Sequence, residues 1–411
     1  MHVYFKSLTL ENVRCFGKKQ TIDFTDNDGQ PSMWNLILGE NGTGKTTVLK
    51  ALASHYMYNL QSTFNDSIVN ESQFIRDKKL DTRIEIKQEE WSREIAIAVH
   101  SNPKLEFLSN GIVFWGTTDS KLQEIGIPFF SYGAARYISI TGITDEQRSP
   151  VGNLFNDNLP LLNAEEWLVQ SEYLSLKDKN QVNLFERVKT LLLKLFQGEI
   201  SDIKIETNGN SGKKISVLFK THYGWVPLHQ LSLGYKTLIA WMVDYARGLF
   251  ERYPESKNPL AEPAVCLVDE IDLHMHPQFQ RKLIRFLNDL FPKTQFIVTA
   301  HSPLVVQAAV DLDANIILLS RNGNEVEVEN DPQVVKRWRI DQLLASDLFG
   351  VVDEKMERRR SLLRKAERNT DEEKELESLE NELNIIPPDS KGNDLDQEIL
   401  EYLRQNLPAK T

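Results

Sequence analysis

Polar and apolar residues alternate across residues 5–16, with one break at Glu11-Asn12. A period of two is the mark of a half-buried strand, because successive side chains point to opposite faces. A Gly17-Lys18-Lys19 turn then leads into Thr21-Ile22-Asp23-Phe24, so the chain is predicted to open with a β-hairpin. An apolar strand at 34–38, a glycine-rich loop and a helix from 45 to about 58 follow. Alternation returns at 83–86, 94–99 and 112–115, which predicts an antiparallel β-lobe inserted at about 60–125. A buried strand, Phe129-Phe130-Ser131-Tyr132, ends at Gly133. Leu and Glu at helical spacing in 160–197 predict a helical subdomain at about 140–200. A hairpin is expected at 203–207 and 215–219, and a long amphipathic helix from 238 to about 253, where Pro254 stops it. Apolar strands at 264–268 and 295–299 flank a helix at 278–291, and a last hairpin (315–319, 325–328) closes the series. Apolar strands alternating with helices predict an α/β fold on a parallel core. Residues 1–330 read as one such domain and 331–411 as a charged helical extension. That extension has helices at 338–349 and 395–403, a charge-dense stretch at 354–368 that is basic from 358 on, and an acidic one at 371–382.

The loop after the 34–38 strand carries the clearest chemistry. Gly39, Glu40, Asn41, Gly42, Thr43, Gly44, Lys45 and Thr46 match the phosphate-binding pattern G-x-x-x-x-G-K-[ST] at a strand-to-helix junction, with Thr47 next. Glycines let backbone N–H groups curl around phosphates while the following helix points its positive end at them. Lys45 would reach the β- and γ-phosphates and Thr46 would ligate Mg²⁺. Asp269 ends the apolar run Val265-Cys266-Leu267-Val268, where its carboxylate can hold Mg²⁺, and Glu270 can polarise an attacking water. Ser232 and Gly234, in Leu231-Ser232-Leu233-Gly234-Tyr235-Lys236, suit an anion at a helix start, although a Ser N-cap alone reads the same way. His301, in Thr299-Ala300-His301-Ser302-Pro303, stands at the mouth of the last core strand, where it could sense a γ-phosphate.

These four groups, in this order, resemble the ABC-type ATPases, specifically the RecF/SMC/OLD-like branch. The opening Leu10, Asn12, Arg14 and Phe16, the stretch from Asp269 through His274 and His276 to Pro277, and Tyr235-Lys236 in the signature carry the same resemblance. It implies ATP and Mg²⁺ as cofactors and a head-to-head dimer. Ser232 and Gly234 of one copy would close over the triphosphate bound by the other, and hydrolysis would release the interface. Arg14 would lie near the phosphates or adenine. The Q-loop glutamine would be Gln73, Gln88 or Gln123. Arg136, in Tyr132-Gly133-Ala134-Ala135-Arg136, would face nucleotide or nucleic acid, or serve as a structural arginine. His274 and His276 have an H-x-H spacing but only two local ligands, too few for a zinc site.

No heptad run long enough for an extended coiled coil occurs, and the stretch after His301 lacks the carboxylate cluster of a toprim nuclease. No nuclease site is therefore expected in this chain. The build is similar to the stand-alone ATPase subunits of anti-phage systems such as Septu. That implies a separate effector, such as an HNH-type nuclease, and a link to DNA. A nucleotide-clamped binding module with negligible turnover and a RecF-like DNA repair ATPase are the alternatives.

Composition narrows the partners further. A net charge of −11 over 411 residues argues against a chain that coats nucleic acid non-specifically. The Arg358-Arg359-Arg360 run is interleaved with Glu354, Glu357 and Glu367, which favours a solvated helix over a DNA contact. No run of about 18 apolar residues exists to span a membrane. The two cysteines, Cys15 and Cys266, sit among apolar residues, as expected of buried thiols in a reducing cytoplasm.

Overall fold

The computed structural model describes residues 4–60, 76, 82–88, 92–97, 128–136, 151–177, 184–208, 214–330, 332 and 374–375. The strand expected at 112–115, Gln73, Gln123 and the helices expected beyond 331 lie outside these residues. The chain divides into two compact units, Met1–Leu343 and Leu344–Thr411, and the first carries the architecture below.

The opening alternation becomes β1 (Phe5–Glu11), paired antiparallel with β2 (Gln20–Asp23) in the register Leu8↔Ile22. Next come β3 (Trp34–Gly39) and α1 (Lys45–Leu60). Strands β4 (Thr82–Gln88) and β5 (Ser92–Ile97) add to the hairpin, giving an antiparallel sheet ordered β2-β1-β4-β5. Then β6 (Phe129–Tyr132) and helices α2 (Gly152–Phe155), α3 (Ala164–Lys177) and α4 (Leu184–Leu195) precede a three-stranded meander. Its strands are β7 (Asp202–Asn208), β8 (Lys214–Thr221) and β9 (Gly224–Pro227). The sequence pattern missed β9, because four residues bounded by Gly and Pro, none of them fully buried, carry no alternation to read.

Helix α5 (Leu233–Arg252) leads to the second half of the core: β10 (Ala264–Val268), α6 (Pro277–Leu290), β11 (Thr294–Thr299), α7 (Pro303–Val310), β12 (Asn315–Asn322) and β13 (Glu325–Asn330). The six-stranded sheet runs β13-β12-β3-β11-β10-β6, parallel throughout except for the β12–β13 hairpin. Every residue of β3, β10 and β11 is buried, as central strands covered on both faces require. The register Val268↔Val298 and Thr299↔Ile37 brings the carboxyl ends of these three strands together. In open parallel sheets that edge is where ligands bind.

Helix α1 packs in the same core as β1, β2 and the large sheet. Val48, Leu49, Ala51, Leu52 and Ala53 are buried among Leu8, Leu10, Phe16, Phe24, Ile297 and Ile317. Burial of each large apolar side chain contributes about 1.5–3 kcal/mol, so the start of the helix behind the loop is firmly held. Helix α5 begins at Leu233, five residues before the sequence expectation of 238. Residues 233–236 are exposed or half-buried, so the apolar period that marks a helix starts only at Leu238.

Candidate active site

The loop between β3 and α1 depends on its glycines. Gly39, Gly42 and Gly44 have φ of +153°, +80° and +91°, values that L side chains rarely adopt. A Cβ on Gly39 would come within 2.5 Å of the Leu319 carbonyl oxygen, and one on Gly44 would run into the Cys15 sulfur and the Phe16 ring. The opening hairpin therefore supports the loop from below, which is why Cys15 and Phe16 stand where they do. Gly44→Ala is expected to destabilise the fold by about 1–3 kcal/mol, the range for an overpacked site. Thermal unfolding measures it, and an unchanged melting temperature would contradict this contact.

Lys45 folds along the loop and donates from Nζ to the carbonyls of Gly39 (2.7 Å) and Glu40 (2.9 Å). The Glu40 carbonyl also accepts from the Thr43 hydroxyl at 2.8 Å. Burial lowers the Lys45 pKa, opposed by the negative charges of Asp269, Glu270, Asp272 and Glu40. On α1 the Thr46 hydroxyl donates to Asp269 Oδ2 at 2.7 Å. Thr299, ending β11, donates to Asp269 Oδ1 at 2.6 Å and accepts from the Glu270 N–H at 2.7 Å. A single threonine thus links both acidic residues to the neighbouring strand. No role for Thr299 was read from the sequence; its adjacency to Asp269 is set by parallel pairing of two strands 30 residues apart in the chain.

Glu270 has φ +48°, a left-handed backbone that costs an L-residue about 1–2 kcal/mol. Strain of this kind concentrates at functional sites, where the surroundings hold it. Arg136 supplies part of that hold by donating to the carbonyls of Asp269 and Glu270. It is buried and does not line the cleft, so its side chain takes the structural alternative left open above. Asp272 receives the His301 N–H on both carboxylate oxygens, at 3.2 and 3.0 Å. Desolvation by burial raises the Asp272 pKa. Ser302 caps α7 and donates to Gln280, whose amide in turn donates to the Asp272 and Met275 carbonyls.

A cleft of about 340 Å³ opens over these groups, lined by Arg14, Cys15, Asn41, Gly42, Gly44, Lys45, Thr46, Thr47, Asp269, Glu270 and His301. Backbone N–H groups, one buried ammonium and the hydroxyl–carboxylate pair Thr46–Asp269 make a donor set that fits a phosphate chain with a hard divalent cation. Among the described residues Ser232 and Gly234 line a different, more apolar cavity of about 390 Å³, with Phe196, Tyr235, His274 and Phe279. Ser232 is the N-cap of α5, yet its hydroxyl makes no capping hydrogen bond. A Cβ on Gly234 would run into the His274 carbonyl oxygen. The His276 ring nitrogen accepts from the Gln278 N–H at the start of α6, and among the described residues no three His, Cys, Asp or Glu side chains group as metal ligands. Gln88 ends β4, opposite Phe5. No helix of the described residues is long and apolar enough to cross a membrane.

The Septu protein PtuA of Bacillus mycoides (strain KBAB4) is 28% identical over 395 residues, covering 92% of this chain and 51% of that protein. The Septu protein PtuA of Bacillus thuringiensis is 22% identical, covering 84% of this chain and 86% of that one. The chain thus spans about half the length of the first relative and most of the second. Among solved structures, an SMC head bound to the C-terminal winged-helix domain of ScpA aligns over 80% of this chain and 97% of that one, at 16% identity and a TM-score of 0.49. Residues 35–307, running from β3 and the phosphate loop through Asp269 and His301 into α7, match the family described as "AAA domain, putative AbiEii toxin, Type IV TA system", and the chain belongs to that family of ATPases.

Proposed function

We propose that this chain is an ATP-hydrolysing switch that closes as a dimer and acts with a separate effector, most consistent with prokaryotic anti-phage defence. The observation that carries the reading is the contact between Thr46 and Asp269, 2.7 Å apart beside Lys45 and Glu270 in one cleft. The loop N–H groups and Lys45 bind the triphosphate of ATP, and Arg14 lies at the same opening. Thr46 and Asp269 would hold Mg²⁺, which when bound neutralises charge on the β- and γ-oxygens. Glu270 accepts a proton from the attacking water as general base. His301, with its backbone fixed by Asp272, stands to hydrogen-bond the γ-phosphate.

Ser232 and Gly234 line another cavity of the same chain, so their contribution to phosphate binding requires a second copy. This supports two composite sites per dimer. The similarity to Septu proteins supports defence as the setting and a separate effector; an HNH-type nuclease as that effector, DNA as what the pair acts on and the cytoplasm as the compartment complete the proposal.

The test is phosphate release under single-turnover conditions alongside sedimentation with and without Mg·ATP. Turnover together with nucleotide-driven dimerisation supports the switch; ATP binding without either outcome leaves a clamp and rejects it. Ser232→Arg is expected to abolish ATP-driven dimerisation while leaving the Kd for ATP of the isolated subunit within about threefold. The exposed hydroxyl lies outside the phosphate cleft, and a bulky cation there obstructs only the approach of a partner. A comparable loss of affinity in the monomer would place Ser232 in the wrong half-site.

A further inference from the structure

We infer that Arg136 is a positioning residue for Glu270: its guanidinium fork grips two consecutive carbonyls and thereby aims the carboxylate into the phosphate cleft. This rests on the reading of Glu270 as general base and extends it to a residue outside the cleft.

Strand β6 lies parallel to β10 with Tyr132 opposite Val268, and the Asp269 N–H donates to the Tyr132 carbonyl at 2.8 Å. The turn after β6 is pinned by Asn153, which accepts from the Gly133 N–H at 2.8 Å and donates to the Leu159 carbonyl at 2.7 Å. A Cβ on Gly133 would stand 2.7 Å from the Asn153 carbonyl oxygen, so the turn needs glycine for close approach. It delivers Arg136, 2% exposed, behind the end of β10. Nη1 donates to the Asp269 carbonyl at 2.8 Å and Nη2 to the Glu270 carbonyl at 2.7 Å.

In an extended strand successive carbonyls point to opposite sides. Here both converge on one guanidinium because Glu270 turns left-handed, at φ +48°. The fork therefore selects the backbone conformation that sets the direction of the Glu270 side chain. A lysine keeps the charge but lacks the rigid planar pair of donors. The guanidinium also lies over the Trp241 ring, 5.7 Å from its centroid, and the Tyr132 hydroxyl donates to Asp244 at 3.0 Å. Trp241 and Asp244 belong to α5, whose N-cap is Ser232, so Arg136 stands between that helix and the peptide of Glu270.

The experiment uses the full chain and compares Arg136→Lys, Glu270→Gln and the double variant for melting temperature, ATP affinity, KM and kcat. Arg136→Gly is assayed with and without millimolar guanidinium. Arg136→Lys is expected to fold and bind ATP within about threefold of the unsubstituted chain, with KM little changed and kcat down by about 10²-fold, the penalty for a misplaced reacting group. In the Glu270→Gln background it should cost nothing further, because it acts through Glu270. Guanidinium should restore part of the turnover of Arg136→Gly where an equal concentration of ammonium does not. Normal kcat in Arg136→Lys, a defect confined to KM, an additive loss in the double variant, or failure of both Arg136 variants to fold would each overturn the inference. Normal turnover in Glu270→Gln would instead refute the base assignment, whatever the Arg136 variants did.

Discussion

Lys45→Ala is expected to weaken Mg·ATP binding by about 10²–10³-fold. The ammonium is held against the Gly39 and Glu40 carbonyls at 2.7 and 2.9 Å, at the position from which it can reach two phosphates. A hydrogen bond to a charged group contributes about 1.5–3 kcal/mol, and two such contacts outweigh what the loop N–H groups can replace. Each 1.4 kcal/mol is a factor of ten in affinity. Truncation also frees the two carbonyls that Lys45 ties together, which loosens the Gly39–Glu40 turn. Both consequences act on nucleotide binding, whereas the buried start of α1 is held by its own apolar contacts. Isothermal titration of ATP into the variant measures the affinity, and the melting temperature controls for folding. A Kd within tenfold of the unsubstituted chain would refute the assignment of the loop.

The parts of the molecule that sequence made readable are those where local chemistry and tertiary packing agree. Trp34 to Gly39 is buried throughout and apolar except for Asn35, because both faces of the sheet are covered, and Gly39, Gly42 and Gly44 are glycines because the loop backbone is left-handed or closely approached. Local pattern and global need coincide there. They part at the start of α5, where Ser232 to Lys236 are exposed or half-buried and leave no apolar period, so the helix looks five residues shorter than it is. They also part at Thr299, Asp272 and Arg136. Each acts through backbone or carboxylate groups delivered by another strand or loop, and one sequence carries no record of which strands lie side by side. Thr299 reaches Asp269 only because β10 and β11 pair in the register Val268↔Val298.

The division of the predicted site has the same origin. The resemblance implies that Ser232 and Gly234 serve the triphosphate of another copy, and the fold sets them in a cavity of their own, against His274 and the Phe196–Tyr235–Phe279 aromatic cluster. Ring centroids 5.0–5.7 Å apart hold the start of α5 on α6, and an aromatic pair adds about 0.5–1.5 kcal/mol beyond burial. The Ser232 segment is thus a rigid surface rather than a loop that could swing across to the phosphates of its own chain. The closure by a second copy proposed above would use that surface.

Glu270→Gln tests that arrangement and the chemistry together, with an expected loss of turnover of about 10²–10⁴-fold, the range for removing a general base. Glutamine is nearly isosteric, and the backbone of residue 270 remains held at its N–H by Thr299 and at its carbonyl by Arg136. Folding and ATP affinity should therefore be preserved, within a few-fold for the latter, while the amide cannot take a proton from water. If hydrolysis is what opens the dimer, the variant should accumulate in the closed form under saturating Mg·ATP, visible as a doubled mass in sedimentation. Two outcomes separate the claims. Undiminished phosphate release would remove Glu270 from its role and leave the phosphate loop intact. A variant that binds ATP, releases no phosphate and yet stays monomeric would keep the base assignment and reject head-to-head closure, because the state that hydrolysis normally disperses would never have formed.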